Sequence, residues 1–254
     1  MPISVDFETF YSKKLKYGLT GSIAEVYCAD PLFDCYLISV CDGKNQWSGH
    51  PSRFNWSALD GQVLLSHNRY FDNTVYNELV KRKLAPTLNI PAWHCTANLT
   101  SFLCNRRALK DSVEYLFKRP VDKTYRDVAD GKNWPGDYTE AEREHIIRAG
   151  KQDALACWQL WDKFSSRWPE VERRLSNITI DQGMRGVQID VDLLNKYLLW
   201  THDMKTEIEK LIPWMVDEPE EDWDDFSVKP TSLKCIAEQC RRTGIPCAPV
   251  KSHD

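Results

Sequence analysis

The sequence predicts an α/β fold: a mixed sheet flanked by helices, followed by a helical C-terminal appendage. Three observations lead there. Residues 3–10 alternate apolar and polar side chains as a strand does, and 25–47 continue as a strand meander. Between 63 and 165, short apolar runs interleave with helix-period stripes, the pattern that lays helices on a sheet. After Arg167-Trp168-Pro169 the strand signals stop, which divides the chain into residues 1–166 and a helical segment, 167–254.

In the first strand Ile3, Val5 and Phe7 point one way and Ser4, Asp6 and Glu8 the other, so two carboxylates share a face one pleat apart. Residues 25–40 read as two strands broken at Asp30-Pro31. Asp42-Gly43 is a hairpin turn into a strand near Gln46-Trp47. Val63-Leu64-Leu65 is a short buried strand that ends at Ser66-His67-Asn68. Phe71, Val75, Leu79 and Val80 then recur at helical spacing over 69–82, with Asp72 in the first turns. A strand at 91–96 and helices at 97–104 and 109–117 follow. Residues 119–137, with Pro120, Gly131, Pro135 and Gly136, predict a long surface loop. Thr139-x-x-Glu142 is a capping box. It opens a helix whose stripe holds Ile146, Gly150, Asp153, Cys157, Leu160, Trp161 and Phe164. Helices at 170–181 and 191–211, separated by a turn at Gly183–Gly186, and a short one at 232–242 complete the chain.

Composition excludes several classes. Of 254 residues 42% are hydrophobic and 28% charged, which rules out a disordered or fibrous chain. With 33 basic and 37 acidic residues the net charge is −4, so any nucleic acid is held locally rather than by bulk positive charge. The first residues carry acids where an export signal needs basic and then apolar stretches, and no run approaches a membrane span. The nine cysteines, odd in number and without CxxC, predict reduced thiols and a cytoplasmic location. Cys235, Cys240, Cys247 and His253 form the one zinc-like grouping, at wider spacing than structural zinc sites use. The acidic run 217–225 reads as a solvated loop.

The chemistry lies in four acids. Asp-x-Glu spacing alone says little, since Glu207/Glu209 and Glu218/Glu220 repeat it. Asp6 and Glu8, however, sit inside an apolar strand, Asp72 lies just past a strand–helix junction, and Asp153 interrupts an apolar helix stripe. A carboxylate in such a stripe must be paired, protonated or metal-bound. Four convergent carboxylates need divalent cations to offset their repulsion. Hard oxygen ligands in that number suit two Mg2+ or Mn2+ ions about 3.5–4 Å apart, an arrangement for phosphodiester hydrolysis.

Val5-Asp6-Phe7-Glu8-Thr9, His67-Asn68-x-x-Phe71-Asp72 and the helix with Gln152-Asp153 resemble the three exonuclease motifs of the DEDD superfamily. The match is nearest the 3′–5′ proofreading domain of phage-type family-A DNA polymerases. Leu15, Gly18, Ala24-Glu25 and Trp93-His94-Cys95-Thr96 fit that subgroup. The resemblance covers roughly residues 3–165. It implies an RNase H-like sheet and removal of 3′-terminal nucleotides from single-stranded DNA. It also implies that Asp6 contacts both metals, Glu8 and Asp153 the nucleophile-side metal, and Asp72 the other. Thr9, Asn68 and Phe71 would surround the terminal nucleotide.

One departure stands out. The family places a Tyr four residues before the last Asp, or a His five before it, to orient the attacking water; here these are Ala149 and Arg148. His145, two turns from Asp153, is one substitute, and Tyr125 or Tyr138 of the 119–138 loop are others. If Ala149 leaves a gap, Ala149→Tyr is expected to speed cleavage.

Residues 178–194, Lys229-Pro230-Thr231-Ser232-Leu233-Lys234 and Gly244-Ile245-Pro246 resemble the segment that joins exonuclease to thumb in those polymerases. No counterpart of the polymerase palm motifs is present, so the chain is expected to be a polymerase fragment or a separate subunit without polymerase activity of its own. Lys13, Lys14, Lys16 with Tyr17, and Arg106, Arg107 and Lys110, are candidate contacts for a short single strand. Two alternatives remain open at this level. One is a weakly active or inactive module that binds single-stranded DNA or braces a polymerase, and the other is an RNA exonuclease of the same superfamily.

Overall fold

The computed structural model describes residues 1–122, 124–216 and 231–246, without the Arg126 side chain. The acidic run 217–225, Lys229-Pro230, Cys247 and His253 lie outside the described residues. Two compact units emerge, Met1–Gly186 and Val187–Asp254.

The first unit holds a five-stranded sheet in the order β3-β2-β1-β4-β5. Strand β1 (Ile3–Thr9) is antiparallel to β2 (Cys35–Cys41), which is antiparallel to β3 (Gln46–Gly49). On its other side β1 runs parallel to β4 (Val63–Ser66), and β4 parallel to β5 (Ala92–Cys95). This mixed, helix-flanked sheet is RNase H-like, as the sequence predicts. The turn into β3 is fixed by the Asp42 carboxylate, which accepts from the Lys44 and Asn45 amides at 2.8 and 2.6 Å. Gly43 in this turn has a φ of +91°, and a Cβ there would lie 2.3 Å from the Trp158 ring. Both facts require glycine.

The two faces of β1 differ as its alternation demands. Val5 and Phe7 enter a core with Ile38, Leu64 and Val75, Tyr76 and Leu79 of helix α2 (Arg69–Lys81). Ser4 faces the long helix α6 (Glu140–Phe164), where its hydroxyl donates to the Ala154 carbonyl at 2.7 Å. The Thr139–Glu142 capping box is formed as predicted. Helices α3 (Thr96–Cys104) and α4 (Leu109–Phe117) pack on α6 through Leu99, Val113, Ala156 and Leu160. Gly150 brings α6 close to β2, since a Cβ there would meet the Ser39 hydroxyl at 2.3 Å.

Three sequence expectations need correction. Residues 25–29 are not a strand: Ala24–Ala29 is a short helix, α1. Ala24, Tyr27 and Cys28 are buried while Val26 is exposed, a period of three to four. A six-residue run is ambiguous on periodicity alone. The helix is held from afar, because the Arg82 guanidinium donates to the carbonyls of Cys28, Asp30 and Phe33 at 2.9, 3.0 and 3.1 Å. Residues 119–137 are not only a surface loop: they contain helix α5 (Tyr125–Ala129), and Tyr125 and Ala129 are buried. Helix α7 (Glu170–Arg185) runs through Gly183 and stops at Gly186, φ +67°. It joins the first unit by packing Ile180 on Cys95 and Ala97. Asn98 donates to Ser176 at 2.7 Å, and Arg69 pairs with Asp181.

In the second unit, α8 (Val191–Glu209) has no buried residue, with Tyr197, Leu198 and Trp200 among its exposed apolar residues. Short helices α9 (Pro213–Val216) and α10 (Leu233–Thr243) follow. Cys28, Cys35, Cys41, Cys95 and Cys157 are buried thiols. Burial pushes the Cys28 thiol up to about 12, so it is inert at neutral pH. No described helix is long and apolar enough to cross a membrane.

Candidate active site

Parallel pairing builds the site. Ile3 pairs with Leu64 and Ser4 with Leu65, so the chain leaving β4 runs beside the end of β1. Ser66 locks that alignment: its hydroxyl donates to the Val5 carbonyl at 2.8 Å and accepts from the Trp93 indole at 3.0 Å. The first turn of α2 then arrives next to Glu8. Asp72 is 4% exposed, and its Oδ1 accepts from the Phe7 amide, between Asp6 and Glu8, at 3.3 Å. A register shift between Glu8 and Thr9 irregularises β1 at the same end, a common device for re-aiming side chains near sites.

Helix α6 crosses over this end. One carboxylate oxygen each from Asp6, Glu8 and Asp153 lie within 4.8 Å of one another, the one such grouping found among the described residues. Asp153 is buried and Asp6 and Glu8 are half-buried, so the cluster is partly open to solvent. Burial, with the negative charge of Glu8, holds the Asp72 carboxyl far above the usual carboxylate range, against the opposing pull of the Phe7 amide. An all-carboxylate donor set at this spacing fits Mg2+ or Mn2+, and a divalent cation would reverse the penalty on Asp72.

The remaining predicted residues are distributed around this cluster. Asn68 is exposed at the strand–helix junction with a φ of +135°, uncommon for any residue with a side chain. Phe71 is half-buried against the core, its ring 6.3 Å from that of Tyr27. The Thr9 hydroxyl accepts from Tyr27 at 2.7 Å. His67 bonds Thr96 at 3.0 Å and the Arg107 carbonyl at 2.8 Å, which ties the α3–α4 turn to the site. The His145 ring, partly exposed, lies 3.6 Å from Asp122. Of the basic candidates, Lys13 pairs with Asp127 and Asp130, Lys110 with Glu114, and Arg107 donates to Asn98 at 2.6 Å. Tyr17 is stacked between Phe10 and Tyr27 rather than offered to a base.

A tyrosine from another element shares the buried cluster around Ala149. Tyr125 of α5 is 1% exposed, and its hydroxyl lies 3.0 Å from both Glu8 Oε1 and Asp153 Oδ2. Its ring shares a buried cluster with Ala149, Ile146, Tyr36, Leu37 and Tyr138. With the Tyr125 ring already in the cluster around Ala149, a second ring at 149 would crowd it, which argues against a gain in cleavage from Ala149→Tyr. Sequence spacing could name Tyr125 only as one of several options. The signal that singles it out is three-dimensional.

No family model matches this chain, and no curated protein matches it significantly. Among solved structures, NrnC of Brucella melitensis with bound Mg2+ is similar over 71% of this chain and 80% of its own, at 13% identity and a TM-score of 0.47. The catalytic core of RRP6 from Trypanosoma brucei is similar over 70% of this chain and 45% of its own, at 14% identity and a TM-score of 0.49.

Proposed function

We propose that this chain is a metal-dependent 3′–5′ exonuclease that removes terminal nucleotides from single-stranded DNA, the proofreading part of a DNA polymerase. The observation that carries this reading is the convergence of Asp6, Glu8 and Asp153 within 4.8 Å, with buried Asp72 bonded to the strand between the first two. Direction, DNA and the polymerase context come from the motif resemblance of residues 3–165 and of the tail. These four carboxylates would hold two Mg2+ or Mn2+ ions, which offset their repulsion and stabilise charge developing on the phosphodiester. The chain's own groups supply the rest. Asp72 and Asp153 are fixed by burial and Glu8 by its bond to Tyr125, while Asp6 and Glu8 remain partly exposed to an incoming strand end. Exposed Asn68 and half-buried Phe71, at the junction and first turn that carry Asp72, are the groups the motif resemblance offers to the terminal nucleotide. The reading of an inactive module rested on Ala149, and Tyr125 in that space weighs against it.

The test is digestion of a 5′-labelled single strand of DNA, with matched RNA in parallel, under Mg2+, Mn2+ or EDTA. Stepwise shortening of DNA from the 3′ end is expected with metal only. Asp6→Ala and Glu8→Ala should each lower the rate about 10³-fold, since losing a ligand removes several kcal/mol of transition-state stabilisation. A chain that binds Mn2+ but shortens neither strand leaves the module reading standing, and preference for RNA moves the substrate to the other polymer.

A further inference from the structure

We propose that Tyr125 is the positioning residue that orients the attacking water, delivered from α5 into space that Ala149 leaves open on α6. The inference rests on the exonuclease reading above. It goes beyond that reading by assigning to another element a role that α6 itself does not fill.

Geometry comes first. The Tyr125 hydroxyl stands 3.0 Å from an oxygen of Glu8 and 3.0 Å from an oxygen of Asp153. A phenol has one proton and can accept as well as donate, so it satisfies the two carboxylates by turns and can also hold a third partner. A water held between Glu8 and Asp153 lies within its reach. Space comes second. The ring belongs to the same buried cluster as Ala149, Ile146 and Tyr138, and the side chain at 149 sits one helical turn before Asp153 on the same face. A large residue at 149 would therefore be added to the cluster that already holds the ring at 125. Rigidity comes third. Helix α5 is pinned to the segment after β1, as the Gly131 amide donates to the Tyr11 carbonyl and the Lys13 amide to Asp130, both at 2.8 Å. The hydroxyl is thus placed before substrate arrives, the condition under which an orienting group helps most.

In the reaction, water forms a bond to phosphorus while the bond from phosphorus to the 3′ oxygen breaks. The nucleotide leaves as a 5′-monophosphate, and one water proton reaches the freed 3′ oxygen through solvent. Tyr125 gains and loses no proton over the cycle; it only aims the water.

Four variants test this: Tyr125→Phe, Tyr125→Ala, Ala149→Tyr, and the exchange Tyr125→Ala/Ala149→Tyr. Each is measured for single-turnover cleavage, for Mn2+ affinity by calorimetry and for melting temperature. Tyr125→Phe should bind Mn2+ within about threefold of the parent and stay folded, yet cleave about 10²-fold slower. Ala149→Tyr alone should be slower and less stable. The exchange should recover at least tenfold over Tyr125→Ala, because the hydroxyl returns from the other wall of the same volume. Tyr125→Phe cleaving at the parental rate while Asp6→Ala is dead would overturn the inference and leave the exonuclease reading intact. A rate loss in Tyr125→Phe matched by an equal loss of Mn2+ affinity would also overturn it, since the hydroxyl would then only hold the ligands. A parent that binds Mn2+ and cuts nothing sinks the exonuclease reading, and this inference with it.

Discussion

Residue chemistry at this site is decided by where a polar group is buried and what faces it. Asp72 is costly to ionise in a buried place beside Glu8, and a cation is the group that removes that cost. His94 shows the opposite case away from the carboxylates. It stacks on Trp161 at 4.7 Å, bonds Asn177 at 3.3 Å, and has Arg173 and Arg69 nearby. Burial first, then the Arg173 charge, lowers it to about 4. The unfolded chain takes up a proton as pH falls through about 6.5, and the folded chain only near 4. This contribution to stability is therefore complete above pH 6.5 and is lost over that window on acidification. Discounted for the partly exposed ring, it is on the order of 1–2 kcal/mol. Denaturant melts of parent and His94→Phe at pH 7 and 4.5 measure it: the parent should lose that much more than the variant, and equal losses would refute the assignment.

Elements position these residues through close approach. Helix α6 lies on β2 at Gly150, one turn before Asp153, where any Cβ would meet the Ser39 hydroxyl at 2.3 Å and Leu37 at 3.1 Å. Ser39 cannot swing away freely, as it is bonded to Ser48 at 2.7 Å. Gly150→Ala should thus destabilise by about 1–3 kcal/mol, although alanine is the better helix former. The helix should also shift enough to weaken Mn2+ binding. Ser39→Ala in the same background should recover part of both losses. Urea unfolding and calorimetry of the two variants decide this, and a Gly150→Ala chain as stable as its parent removes the close-packing account. The same logic explains α5. Its sequence carries turn formers on both sides, and only burial of Tyr125 and Ala129 against α6 makes the segment part of the site.

At the scale of the whole molecule, the site depends on a sheet whose edge is closed by a helix from beyond the sequence boundary. Helix α7 covers β5 through Ile180, and Arg69, at the start of α2, is held by Asn177 and Asp181. A chain ending at Gly186 should melt cooperatively and keep its Mn2+ affinity. One ending at residue 166 exposes Cys95 and Ala97 and should melt lower by on the order of 10 °C. Scanning calorimetry of both distinguishes them, and equal melting temperatures would place the boundary at 166. Much of the fold was legible in the sequence. The alternation of β1, the junction at Asn68, the capping box and the stripe around Asp153 are local patterns, and strand and helix periods encode which side chains share a face. That sufficed to put Asp6, Glu8, Asp72 and Asp153 forward as one set. Tertiary structure decided what periodicity does not carry. It turned residues 24–29 into a helix through the reach of Arg82, brought α7 onto the sheet edge, and set Tyr125, rather than His145 or Tyr138, against Glu8 and Asp153. Each outcome depends on which volumes remain empty once distant segments pack, and a chain read residue by residue contains no measure of that space.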